Sequence, residues 1–169
     1  MGPTSAGKTT IGRLFVDHIR KAGMPAIHFD GNEVRDFFGS SLGFQPEDRL
    51  RAVSTCAYLA NKSAEAGLNV VVSALTANED ARQFVRKNVR NLVLSYLKCP
   101  MEVCFERDAR GLYRMAREKK IEPDTVIGLD SPYVPPSDPD IVLETAVLSP
   151  DESVKRLMNW LKKAGYNLP

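Results

Sequence analysis

Apolar runs alternate along the chain with stretches in which apolar residues recur every three or four positions. That alternation predicts an α/β fold, a mainly parallel sheet between two helical layers. Ile11, Leu14, Phe15 and Ile19 keep helical spacing directly after a glycine-rich opening. Residues 25–29 read as a short strand that ends at Asp30. A long helix is expected over 47–66, with Leu50, Val53, Ala57, Leu59 and Ala60 on its apolar face and Gly67 as its stop. Residues 68–72, with the β-branched run Val70-Val71-Val72, have the pattern of a strand buried on both faces. A helix over 79–88, a strand over 92–97 and a helix opened by Pro100 follow. A strand over 141–143 and an amphipathic helix over 152–163, bearing Val154, Leu157, Trp160 and Leu161, close the pattern.

Between residues 107 and 139 the texture changes. Arg107, Arg110, Arg114, Arg117, Lys119 and Lys120 suggest one basic helix, which runs into a loop with Pro123, Pro132, Pro135, Pro136 and Pro139. Loops of that length inside a compact unit are usually functional or disordered. The segment reads as a basic lid on a single domain covering 1–169.

Composition narrows the classes. A net charge of +2 excludes a general nucleic-acid coat, so any basic patch is local. No run approaches the ~20 apolar residues of a membrane span, and the N-terminus lacks a signal-peptide pattern. Cys56, Cys99 and Cys104 form no C-x-x-C pair and read as buried small hydrophobes in a reducing cytoplasm. His18 and His28 lack spaced partners and read as structural; Trp160, Tyr58 and Tyr96 read as core, and Tyr113 as either core or site.

Gly2, Pro3, Thr4, Ser5, Ala6, Gly7, Lys8 and Thr9 match G-x-x-x-x-G-K-[ST] without a gap. Glycines let the backbone wrap phosphate oxygens, and the following helix turns its positive end on the same anion. Lys8 is the candidate contact to the β- and γ-phosphates, and Thr9 the candidate Mg²⁺ ligand, with Thr10 beside it. Such a loop normally follows the central strand of a sheet, yet only Met1 precedes Gly2, so the first strand is expected to be missing from this sequence, by about 6 to 10 residues. A guanine-reading switch is disfavoured: Asn61-Lys62 continues as Ser-Ala inside a helix, and the D-x-x-G match from Asp36 to Gly39 follows no apolar strand.

Asp30 ends a strand on the side where open α/β sheets bind ligands, and a carboxylate there can accept the proton of an attacking hydroxyl. Arg35, near the start of the next helix, and Arg49 are candidate clamps for an anionic acceptor.

Five segments carry a resemblance. They are the loop 2–9, Asp30-Gly-Asn-Glu-Val-Arg35, Leu42-Gly-Phe-Gln-Pro-Glu-Asp-Arg49, the block from Arg107 to Arg117, and Gly128-Leu-Asp-Ser-Pro-Tyr-Val-Pro-Pro136. In order and spacing the chain resembles adenylylsulfate kinases over nearly its whole length. The resemblance implies a homodimeric P-loop kinase that uses ATP and Mg²⁺ to phosphorylate the 3′-hydroxyl of adenosine 5′-phosphosulfate. It makes Asp30 the candidate base, Arg35 and Arg49 anion clamps, Phe44 one face of a base-stacking slot, and Arg107 a lid contact to ATP. Thr145 joins the candidate ATP contacts.

Five positions depart from the family pattern. Ala52 stands for an asparagine, Arg110 for the lid lysine, Val126 for a second stacking phenylalanine, and Thr76-Ala77 for an Ile-Ser pair. Loss of one stacking face is worth about 1–3 kcal/mol. The ATP half of the expected site is intact and the acceptor half is edited. Two alternatives therefore stay open: a kinase for another nucleotide-linked anion, such as a cytidine diphosphate derivative, and a non-catalytic nucleotide-binding module.

Overall fold

Helix α1 (Lys8–Lys21) begins where Gly7, in the left-handed region at φ 91°, turns the backbone out of the glycine-rich loop. In this computed structural model residues 1–108, 110–121, 125–129 and 132–167 are described. Ala109, Pro123, Asp130 and Ser131, which belong to the lid and its motifs, lie outside the described residues.

β1 (Ala26–Asp30) follows, and Asp30 then caps α2 (Gly31–Phe38) by accepting the Asn32 backbone N–H at 2.8 Å. A 3₁₀ turn (Gly39–Ser41) leads to α3 (Pro46–Glu65). β2 (Asn69–Ser73), α4 (Glu79–Asn88), β3 (Ser95–Lys98) and α5 (Met101–Arg107) come next. α6 (Leu112–Arg117), β4 (Ile141–Glu144) and α7 (Pro150–Lys163) complete the order, α7 entered through a Ser149/Glu152 capping box.

The strands pair in parallel, β1 with β2 and β3 with β4, and α1 packs on α7 while α3 packs on α2 and α4. Met1 stands beside β3 in strand-like register. Its amino group donates to the Ser95 carbonyl at 2.6 Å, and its carbonyl accepts from the Leu97 N–H at 2.8 Å. The main core joins Ile11, Phe15 and Ile19 of α1 to Leu97, Leu143, Leu157 and Leu161.

Several expectations need correction. Val70, Val71 and Val72 are only half-buried, because among the described residues β2 pairs along one edge alone. The buried stripe of α3 is Ala52, Cys56, Ala57 and Ala60, and Leu50 is exposed. Tyr58 is 62% exposed, which removes it from the core. Arg35 lies in the last turn of α2 rather than near its start, because that helix already begins at Gly31. β3 begins at Ser95, so the strand expected over 92–97 is shifted toward its C-terminal end. The basic stretch is two helices. Gly111 at φ 66° breaks it, and the Asp108 carboxylate restarts it by accepting the N–H groups of Tyr113 and Arg114. Tyr96 and the three thiols are buried, His18 is exposed, and Trp160 packs half-buried against the core.

Candidate active site

The glycine-rich loop is tied down by its own carbonyls. The Lys8 ammonium donates to the Pro3 carbonyl at 2.6 Å, and the Tyr113 hydroxyl, reaching across from α6, donates to the Thr4 carbonyl at 3.0 Å. Beneath the first turn of α1, the Ser73 hydroxyl donates to the Lys8 carbonyl at 2.9 Å and lies 2.8 Å from His28 Nε2. That arrangement makes His28 the donor to Ser73, with its proton on Nε2. Gly12 lets α1 approach so closely: a Cβ there would sit 2.6 Å from Ser73 Oγ and 2.7 Å from His28 Nε2.

Burial pulls the Lys8 ammonium down to about 8, against the opposing attraction of Asp30. The Asp30 carboxylate is buried at the end of β1. One oxygen accepts the Thr9 hydroxyl at 2.5 Å, and the other accepts the Asn32 N–H. Asp30 therefore faces the phosphate loop rather than the opposite side of the sheet. The loop opens on a cavity of about 820 Å³ lined by Thr4, Ser5, Ala6, Gly7, Lys8, Thr9 and Thr10 at one end, with Asp30 recessed behind Thr9. Gly2 and Pro3 are buried behind this lining.

At the same end Arg107 donates to the Thr145 carbonyl at 2.6 Å and touches Cys99 Sγ at 3.7 Å, which brings two candidate ATP contacts together. At the other end Arg35, Phe44, Arg49, Ala52, Thr76, Ala77, Arg110 and Val126 all border the cavity, so every acceptor candidate except the recessed Asp30 lines it. Phe44 is flanked by two guanidinium groups, Arg35 at 4.4 Å and Arg49 at 5.6 Å from the ring centroid. Arg35 donates to the Gly43 carbonyl and Arg49 to the Phe44 carbonyl at 2.8 Å. Burial lowers the Arg35 guanidinium below its ordinary range. Thr76 holds φ at 45°, a left-handed conformation worth about 1–3 kcal/mol of strain in a non-glycine residue. Cys56 completes the acceptor wall, its thiol pushed up to about 11 by burial.

Among the described residues no cluster of three His, Cys, Asp or Glu side chains could hold a metal ion. A P-loop site does not need one, since Mg²⁺ keeps water and phosphate oxygens as most of its ligands.

The comparisons with known proteins agree with this geometry. The model of the adenylylsulphate kinase family matches residues 1–144. The chain belongs to the adenylylsulphate kinase family. A curated adenylyl-sulfate kinase from Rippkaea orientalis is 37% identical over 98% of this chain and 90% of its own length. The relative from Halothermothrix orenii is 32% identical over 99% of this chain and 90% of its own. Among solved structures, the Mycobacterium tuberculosis APS kinase in complex with AMPPNP and APS superposes with a TM-score of 0.89 at 28% identity, covering 96% of this chain and 94% of that one.

Three features of this adenylylsulphate kinase site escape a reading of the sequence. Asp108 organises the N-terminus of α6, Ser73 anchors α1, and Arg82 is wholly buried behind the Thr76–Ala77 wall. The Asp-x-x-Gly spacing ahead of Leu112 was a usable capping signal; a single serine at a strand end and one arginine in a charged helix were not. Tyr113 is 1% exposed and bonded to the phosphate loop, so it serves both core and site.

Proposed function

We propose that the chain transfers the γ-phosphoryl group of ATP to the 3′-hydroxyl of adenosine 5′-phosphosulfate, giving 3′-phosphoadenosine 5′-phosphosulfate. One observation carries the reading: Asp30 bonds Thr9 of the phosphate loop at 2.5 Å while the same cavity continues to Arg35, Phe44 and Arg49. A donor triphosphate and an anionic acceptor thus meet at one carboxylate.

In this reading the loop N–H groups and Lys8 bind the β- and γ-phosphates, and Arg107 and Thr145 border the rest of the nucleotide. Thr9 is the residue that would hold Mg²⁺, which would supply charge neutralisation at the phosphates. Asp30 orients the acceptor hydroxyl and takes its proton. Arg35 and Arg49 clamp the phosphosulfate, and Phe44 stacks on the base. Arg110, Thr76 and Ala77 complete the acceptor wall. The segment 107–139 acts as a lid that keeps water from the phosphoryl group. The enzyme works as a cytoplasmic homodimer on a small nucleotide, without nucleic acid or membrane. Exposed Phe37 and Val147, at 86% and 80%, offer apolar surface for a second copy.

A second reading rests on Ala52 and Val126, which line the acceptor end without an amide or a second ring. A smaller, less stacked base on a nucleotide-linked anion suits such a wall. Acceptor-dependent ADP release over a panel of adenosine and cytidine nucleotides separates the two. Saturable turnover with adenosine 5′-phosphosulfate supports the first, and turnover only with another nucleotide supports the second. ATP binding without any acceptor-dependent ADP would overturn both.

A further inference from the structure

Arg82 projects from α4 into the protein rather than toward solvent and is 1% exposed. Its Nε donates to the Thr76 carbonyl at 3.0 Å, and Nη2 donates to the Ala77 carbonyl at 3.2 Å and to the Val134 carbonyl. Nη1 donates to the Pro135 carbonyl at 3.2 Å and to Glu79 Oε2 at 3.2 Å. An arginine has five N–H donors in a rigid fork, and here each finds an acceptor. The fork lies 5.8 Å from the Tyr133 ring centroid, and Tyr133 in turn stacks on Tyr96 of β3 with rings 6.3 Å apart and 18° from parallel.

Four of the five acceptors are backbone carbonyls from two segments far apart in sequence. Thr76 and Ala77 form the acceptor wall of the cavity, with Thr76 in a left-handed conformation that its own side chain does not favour. Val134 and Pro135 belong to the proline-rich part of the lid segment 107–139. Among the described residues no direct hydrogen bond joins Thr76 or Ala77 to residues 132–136, and a buried guanidinium with all donors engaged can hold both in one register. Glu79 balances the charge, which makes burial of the cation tolerable.

We propose that Arg82 is a positioning residue for the acceptor: its guanidinium fixes the Thr76–Ala77 wall against the Tyr133–Pro135 segment and so sets the shape of the acceptor end without touching the acceptor. This rests on the functional reading above for the identity of the acceptor, but not for the brace itself. A lysine keeps the charge yet concentrates its donors at one point, so it cannot reach both segments.

The test compares the full-length wild type with Arg82→Lys and Tyr133→Leu, measuring KM for adenosine 5′-phosphosulfate, ATP affinity and amide hydrogen exchange. In Arg82→Lys the acceptor KM is expected to rise about tenfold or more, equivalent to one decade of affinity per lost 1.4 kcal/mol, while ATP affinity stays within about twofold. Exchange at the amides of residues 76–78 and of 133 and 134 is expected to quicken together, with residues 4–9 unchanged. Tyr133→Leu is expected to shift the same readouts in the same direction by less, and it decides the matter if Arg82→Lys does not fold. Equal losses of ATP and acceptor affinity, or a folded variant with unaltered acceptor KM and exchange, overturn the proposal. A wild type inert toward adenosine 5′-phosphosulfate refutes the assigned acceptor, and the exchange comparison then still rules on the brace.

Discussion

The two ends of the cavity are built in opposite ways. The phosphate end comes from one unbroken stretch, residues 2–9, whose backbone is held by Lys8, Tyr113 and Ser73. The acceptor end gathers single side chains from α2, the α2–α3 connection, α3, the β2–α4 connection, the α5–α6 connection and the segment near Val126. Backbone donors tolerate little change in sequence, because the chain path itself makes the contact. Side chains from six places can be exchanged one at a time, and it is there that Ala52, Arg110, Val126 and Thr76-Ala77 depart from the family pattern. The division separates what a P-loop kinase must keep from what adapts it to an acceptor.

The sharpest way to break that division is at its phosphate end. Lys8→Ala removes the buried cation proposed to bind the phosphates, and turnover in a coupled ADP assay is expected to fall about 10²- to 10³-fold, as for loss of one preorganised electrostatic donor. Retained turnover would mean that the loop is not a phosphate cradle. Asp30→Asn probes the junction of the two ends. Turnover is expected to drop by at least ~10²-fold while ATP still binds by calorimetry, and a parallel loss of ATP affinity would reassign Asp30 to holding Thr9.

Proton linkage gives a third measurement. Bound phosphates keep Lys8 protonated, whereas in the free protein burial lowers it to about 8. ATP affinity is therefore expected to decline as pH rises above about 8, by up to about tenfold per pH unit, until the ammonium of the complex itself titrates. The unliganded protein responds oppositely. Its depressed amine binds fewer protons than the unfolded chain between about 8 and 10.5, so its stability gains as pH rises across that window. Chemical denaturation at pH 7.5 and 9.5 checks the sign. At the edited end the expected effect is smallest: Ala52→Asn restores an amide worth about 1 kcal/mol, lowering the acceptor KM roughly fivefold with ATP KM unmoved.

The sequence carried the helices with strong periodicity, and it carried the whole phosphate loop, because an eight-residue motif is local and its spacing is its geometry. α1, β1, α4 and α7 fall within a few residues of their expected bounds. Burial was less legible. Tyr58 and Leu50 look like core on a helical wheel, yet α3 turns its alanines inward and packs closely against α4. The split of the basic stretch does not show in the charge pattern alone; its signal is the capping carboxylate of Asp108 three residues before Gly111. Arg82 was unreadable for a different reason: its partners are carbonyls 52 and 53 residues away, and carbonyls leave no trace in residue identity.

The hydroxyl of Ser73 under Lys8 has a thermodynamic consequence. With the carbonyls of Pro3, Thr4 and Lys8 already engaged, the loop surrenders its conformational freedom when the chain folds rather than when a nucleotide arrives. Most of the attraction between loop and triphosphate is then available as affinity, and one small side chain at the end of a strand helps to set how tightly the nucleotide is held.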